Sequence, residues 1–261
     1  TEHPQRRAAV NAPSSFETGT PSTLGASADR KTRRAEVVAE LSAVLPAHAL
    51  LWHSEDTVPY ECDGLTAYRA QPLAVALPET EEQVAAVLRT CHRLNVPVVA
   101  RGSGTGLSGG ALPHKLGVTM SLAKFNRIVS IDRASRTARV QCGVRNLAIS
   151  EAVAPLGLYY APDPSSQIAC TIGGNVAENS GGVHCLKYGL TLHNVLQVRG
   201  FTAEGEPVNF GSAALDSAGL DLLAQRLGPA GIALAEEAQV HREGIGRLQH
   251  QPDVRRPRCA G

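Results

Sequence analysis

The stretch "PLAVALPETEEQVAAVLRTCHRLNVPVVARGSGTGLSGGALP" (residues 72–113) decides how this chain is read. Leu73–Leu77 is an apolar run ended by Pro78, as a short strand would be. Thr80 can cap a helix, and Gln83, three residues on, completes a capping box. Val84, Val87, Leu88, Cys91 and Leu94 then fall on one helical face. Asn95 stops that helix, and Val96–Ala100 is the next strand. Residues 73–100 are therefore a β-α-β unit that runs straight into a glycine-rich loop.

Residues 98–113 hold seven Gly or Ser, with a literal G-x-G-x-x-G at Gly104, Gly106 and Gly109. A nicotinamide-binding turn needs a strand before that motif and a helix opening on its last glycine. The strand is present, and an acid, Asp132, follows at the end of a later strand. The helix is not, because Gly110, Pro113 and Gly117 break the segment and Leu116–Leu122 reads as strand. Without a helix N-terminus that anion site is lost. A flexible surface turn does not usually sit between two buried strands with an arginine at its head. The remaining reading is a nest of backbone N–H groups around a phosphate or pyrophosphate. Glycine suits it, tolerating positive φ and close backbone approach.

A second block, "TIGGNVAENSGG" (171–182), adds Gly173-Gly174 for close approach and Asn175 and Asn179 for side-chain amides. "PDPSS" (162–166) precedes it and holds Asp163 in a rigid turn between two prolines. Two such loops, some 60 residues apart, imply an extended ligand rather than a lone phosphate.

The rest of the chain frames these loops. Residues 1–30 carry no periodicity and are expected to be a disordered leader. Residues 31–70 are an N-terminal helical segment, with an amphipathic helix over 33–45. Gly117–Leu122, Arg127–Ile131 and Thr137–Cys142 read as consecutive strands, and 144–157 as a helix. Residues 161–189 lack a clean period, and Val195–Phe201 with Pro207–Phe210 form a hairpin around Glu204-Gly205. Residues 225–261 change character, with six Arg, no Lys, no sustained strand pattern and one short helix over 231–240.

Net charge is +1, which excludes a broad electrostatic pull toward nucleic acid. No apolar run reaches the roughly 18 residues of a membrane span. No charged-then-apolar stretch stands at the start, so a signal peptide is not expected. The six Cys (62, 91, 142, 170, 185, 259) show neither C-x-x-C nor disulfide-framework spacing, so no metal site and a reducing, cytoplasmic setting are expected.

These loops, with "APDPSS" and "KYG" beside them, resemble the FAD-binding domain of the vanillyl-alcohol oxidase / p-cresol methylhydroxylase type. Over residues 55–224 the chain is similar to the glycolate oxidase group with its D-lactate and D-2-hydroxyglutarate dehydrogenase relatives. A cell-wall reductase of the UDP-N-acetylenolpyruvoylglucosamine type shares the fold, but the 161–182 run fits the glycolate group better. The resemblance implies an α+β fold of two subdomains with FAD between them, residues 71–224 forming that domain. It implies that Arg101, Gly102, Ser103, Gly104, Thr105, Gly106, Leu107, Ser108, Gly109 and Gly110 hold the pyrophosphate. Pro162, Asp163, Pro164, Ser165, Ser166, Thr171, Gly173, Gly174 and Asn175 would line the cofactor, with Ser180, Gly181 and Gly182 closing against it. Relatives with covalent flavin often carry a His in this loop. None stands here, so FAD is expected to be non-covalent.

The implied activity is hydride transfer from a 2-hydroxy acid to flavin. Implied partners are a second flavoprotein-like subunit and an iron–sulfur subunit, which would carry any peripheral contact with the inner membrane. The family's substrate-binding cap domain, with the catalytic base, has no counterpart after residue 224. The tail 225–261 is expected to be atypical, as a truncated or frameshifted reading frame would be. A non-catalytic flavin-binding fragment or accessory subunit is the alternative. Outside the loops, His184, Lys187 and Tyr188 are weighed as cofactor contacts against structural roles. Arg101 is weighed between phosphate and a structural ion pair. Glu178 is read as a helix-turn residue, and His193, Cys170 and Cys185 as structural.

Overall fold

The computed structural model describes residues 23–211 and 233–240. The first subdomain runs through helix α1 (Thr23–Ser42), strand β1 (Leu50–Leu51), the single turn α2 (Ser54–Thr57), β2 (Ala74–Ala76), α3 (Glu81–Arg93), β3 (Val98–Arg101) and β4 (Val118–Ser121). The second holds β5 (Ile128–Asp132), β6 (Thr137–Gln141), α4 (Asn146–Val153), α5 (Ile172–Glu178), α6 (Cys185–Tyr188), β7 (Val195–Phe201), β8 (Pro207–Gly211) and β9 (Ala233–Val240).

The expected β-α-β unit is present, and its details follow from its residues. Thr80 accepts from the Gln83 backbone N–H at 3.3 Å, and the Gln83 side chain accepts from Glu79 N at 2.7 Å. Glu81 and Glu82 occupy the first turn of α3, and His92 and Arg93 the last, each sign matching the helix dipole. Asn95, at φ 52°, ends the helix. Val84, Val87, Leu88 and Cys91 are buried, and burial pushes the Cys91 thiol up to about 12, which keeps it inert at neutral pH.

Sheet order in this subdomain is β1-β2-β4-β3, with β2, β4 and β3 parallel. β4 slots between the two strands of the β-α-β unit, which leaves β3 at an edge. The glycine loop leaves the carboxyl end of that edge strand, where open parallel sheets bind ligands. The second sheet is antiparallel, in the order β5-β6-β9-β7-β8. Each sheet has its own core. Leu41, Leu73, Val87, Met120 and Phe125 belong to the first; Val140, Ile149, Ile172, Val176 and Phe210 to the second.

Two expectations need correction. The leader was placed over 1–30 and the first helix over 33–45, yet α1 begins at Thr23 and ends at Ser42. Part of the helix's hold on the body is polar rather than periodic and apolar. The Arg30 guanidinium donates to the Gln71, Pro72 and Lys115 carbonyls. Residues 1–22 lie outside the described part. The short helix expected over 231–240 is instead strand β9, paired antiparallel with β6 on one side and β7 on the other. Its Ala/Glu composition favours helix, but the open edges of β6 and β7 supply a full ladder of partners, and tertiary pairing outweighs weak propensity. The rest of the tail, 212–232 and 241–261, lies outside the described residues.

Candidate functional site

A cavity of about 950 Å³ opens between the two glycine-rich blocks, near the upper end of the roughly 300–1,000 Å³ usual for ligand sites. It is lined by Gly102–Ser108, Gly110, Pro164–Ser166, Thr171, Gly174, Asn175 and Ser180–Gly182. The two loops the sequence singles out thus face one space. Ala100, Ala111, Cys170, Ala177, Glu178 and Val183 complete the wall.

The two blocks touch directly. Ser103 Oγ donates to Ala169 O at 2.5 Å, and a Cβ on Gly102 would stand 2.2 Å from Thr171 Oγ1. Thr171 caps α5 by accepting from Gly174 N at 3.4 Å. Gly104 and Gly109 have φ of 69° and 77°, so the turn needs residues free of a Cβ penalty there. Among the described residues, no acceptor meets the backbone N–H groups of the run from Ser103 to Gly110. Seven of these eight residues, all but Gly109, line the cavity, so their N–H groups are available to an anion, and a charge-assisted bond to each good one is worth about 1.5–3 kcal/mol.

Five expected cofactor contacts do not line the cavity. Arg101 lies behind the loop, 9% exposed, with Nη1 donating to Cys62 O at 2.8 Å and to Ala111 O at 3.4 Å. Its role here is structural, but through carbonyls rather than through an ion pair. Asp163 spends both oxygens on His184: Oδ1 accepts from the backbone N–H at 3.3 Å, and Oδ2 lies 2.6 Å from Nδ1. Pro162 O accepts from Asn146 Nδ2 at 2.9 Å, and Asn146 Oδ1 accepts from Asn175 Nδ2 at 2.9 Å. Asn175 therefore reaches the cavity wall with its amide N–H already committed to a buried chain. Gly173 packs on Cys142, and Gly109 on the Leu65 side chain.

The remaining polar residues sort as follows. Lys187 Nζ sits 4.8 Å from the Tyr188 ring centre, and Tyr159 donates to the Tyr188 hydroxyl at 3.0 Å. Hydrogen bonding to Lys187 and then to Tyr159 holds the Tyr188 phenol below its usual range, while burial raises that of Tyr159. Neither Lys187, Tyr188 nor His184 reaches the cavity wall. His193 Nδ1 accepts from Leu190 N at 3.1 Å, a structural contact. Glu178, read as a helix-turn residue, is in a helix and has a further place that reading did not include. It ends α5, lines the cavity, and its Oε1 would meet a Cβ on Gly106 at 2.1 Å. Sequence gave no cue, because the contact joins residues 72 positions apart. Cys170 is buried in the wall.

The geometry defines a class: a two-subdomain α+β domain with a cavity between two glycine-rich segments whose backbone donors suit an extended anion. Comparison with known proteins places it further. Residues 72–211 match the family described as "FAD binding domain". The chain is 60% identical over 199 residues to "Glycolate oxidase subunit GlcD" of Escherichia coli (strain K12), covering 76% of this chain and 40% of that one. It is 33% identical over 198 residues to "D-lactate dehydrogenase" of Anaerostipes hadrus, covering 75% and 41%. The crystal structure of p-cresol methylhydroxylase with substrate bound superposes with a TM-score of 0.66 at 20% identity, covering 81% of this chain and 43% of that one, a likeness of fold. The chain belongs to the FAD-binding domain family, and it spans about two-fifths of the length of the curated relatives it matches.

No helix among the described residues is long and apolar enough to cross a membrane. The residues present fit FAD. The glycine loop offers a run of unmet donors, and at Gly110 the nearest atom to an added Cβ is the flexible end of Glu178, at 4.0 Å, so the protein itself leaves that space open.

Proposed function

We propose that this chain is the FAD-holding part of an oxidoreductase of 2-hydroxy acids, of the glycolate and D-lactate type. The observation that carries the reading is the run of eight backbone donors, Ser103–Gly110, without acceptors among the described residues, seven of them on the wall of a cavity of about 950 Å³. The 60% identity to a glycolate oxidase subunit supports the substrate class.

In this reading the Ser103–Gly110 amides take the pyrophosphate. Pro164–Ser166, Thr171 and Gly174 flank the rest of the cofactor, and Ser180–Gly182 close against it. The loop holds no His, which favours a non-covalent flavin. When bound, the flavin supplies hydride acceptance at N5 from the substrate α-carbon. Glu178 and Cys170 are the carboxylate and the thiol of the cavity wall, and neither is assigned the substrate's proton. The base and the groups that hold the hydroxy acid belong to the part of the longer relatives that this chain does not span. The relative's name, "subunit", supports a multi-subunit enzyme, with a second flavoprotein-like chain and an iron–sulfur chain as the proposed electron route. A cytoplasmic setting goes with it.

A second reading, a flavin-binding module without turnover, is favoured by the 40% coverage of the relative's length. One measurement separates the two. Purified protein is examined for a flavin spectrum, then mixed anaerobically with glycolate or D-lactate. Bleaching supports the oxidoreductase. A flavin spectrum that persists supports the module. Protein that takes up no FAD on titration overturns both.

A further inference from the structure

The nest has a back wall that lies outside the matched family region. That region starts at residue 72, yet the segment Tyr60–Leu65 packs directly behind the glycine loop. Four observations meet there. The Arg101 guanidinium, buried at 9% exposure, joins Cys62 O to Ala111 O and lies 5.6 Å from the Tyr60 ring centre. Asp63, 4% exposed, accepts from Leu65 N at 2.9 Å and from Ala111 N at 3.3 Å. A Cβ on Gly64 would stand 2.7 Å from Gly106 O and 2.8 Å from Thr105 O. A Cβ on Gly104 would stand 2.3 Å from Arg101 Nη2, so the guanidinium fills the underside of the turn.

We propose that Tyr60–Leu65 and Arg101 form a brace that presets the Ser103–Gly110 nest for a pyrophosphate, with Arg101 as a positioning residue and not a phosphate ligand. This deepens the FAD reading above and rests on it. The physical case is geometric. A trans peptide places C=O and the next N–H on opposite sides. With the Thr105 and Gly106 carbonyls against Gly64, the Gly106 and Leu107 N–H groups point away from the brace. A glycine-rich loop whose amides have no partners cannot order itself, and ordering it at binding would cost affinity. Arg101 and Asp63 hold its far end, at Ala111, to the segment at 62–63 before any ligand arrives. The buried cation beneath the loop also favours an anion above it. Lysine is a poor substitute, because it lacks the planar group that holds both carbonyls through Nη1 while Nη2 fills the space beneath Gly104.

The test uses the full chain and three probes: FAD, ADP and lumiflavin. Arg101→Gln is expected to raise the Kd for FAD and for ADP by about tenfold or more while leaving lumiflavin unchanged, since only the first two carry a pyrophosphate. Arg101→Lys should fall between. Gly64→Ala keeps every charge, displaces the Thr105 and Gly106 carbonyls, and should give the same pattern. Hydrogen exchange without ligand should quicken at Ala111 and Leu112, whose N–H groups donate to Asp63 and Gly109, and nowhere else. A folded Arg101→Gln that binds FAD and ADP as the wild type does overturns the brace, and so does an equal loss for lumiflavin, which marks general disruption. Wild-type protein that binds none of the probes overturns the FAD reading instead. Loop exchange then still decides the brace, unchanged rates in Arg101→Gln counting against it.

Discussion

The two glycine-rich blocks look alike in sequence and fold differently. Arg101–Gly110 stays a loop, whereas the Ile172–Glu178 part of the second block is helix α5. The second block has what a helix requires: Thr171 as a cap, Ile172 and Val176 four apart and fully buried, and Asn179 at φ 50° to end it. The first has no cap and no apolar pair at helical spacing, and positive φ at Gly104 and Gly109 breaks any regular run. The glycines consequently do different work. At Gly182 an added Cβ would stand 2.4 Å from the Asp163 backbone, a packing requirement. At Gly106 it would meet only the Glu178 carboxylate, the end of a flexible side chain. The middle of the first block is open for a ligand, and the end of the second is closed by protein.

The largest break in this contrast should come from Gly182→Val. The Asp163 backbone cannot yield, overpacking of this kind costs about 1–3 kcal/mol or more, and FAD retention should go with it. Urea denaturation reads the first effect and flavin content the second. Next comes Asn146→Ala, which leaves Pro162 O and Asn175 Nδ2 buried without partners. A loss of about 2–3 kcal/mol is expected, and one below about 0.5 would count against the amide chain as the tie beneath the second block. Gly106→Ala should behave oppositely, with stability within about 0.5 kcal/mol of wild type but clearly weaker FAD binding by fluorescence titration. Normal FAD affinity in that variant would dissolve the distinction between the blocks.

The smallest effect should be at Tyr160, on the buried side of the second block. Its hydroxyl is buried, and burial raises its pKa above the ordinary value. The raised folded value means the neutral form is favoured, so the contribution is fully present below about pH 10 and is lost as pH rises through the folded pKa. Tyr160→Phe should change stability at pH 7 by less than about 1 kcal/mol. Above pH 10 it should lessen the wild type's decline by up to about 1.4 kcal/mol per pH unit. Parallel alkaline melting curves for the two proteins would refute this account.

Much of the fold was legible because it is local. The cap at Thr80, the apolar face from Val84 to Cys91 and the stop at Asn95 all lie within 16 residues. The hairpin around Gly205, which has φ 80°, was equally readable, as was the missing helix after Gly109. Seventeen of the residues expected at the cofactor do line the cavity. The exceptions share a cause, for the partners of Arg101, Asp163 and Gly173 are 39, 21 and 31 positions away. Strand β9 was misread for the same reason, since only the flanking strands β6 and β7 supply its hydrogen bonds.

By itself the sequence determined where chain could turn tightly, where a helix could start and stop, and which backbone was bare enough to meet an anion. These are properties of φ, side-chain bulk and periodicity, and they act over a few residues. Tertiary structure alone decided which side of the bare loop is braced and which is open. It turned Arg101 from a phosphate contact into a support, and it set Glu178 against Gly106. Those outcomes depend on segments brought together by two separate cores, and no local pattern encodes the meeting.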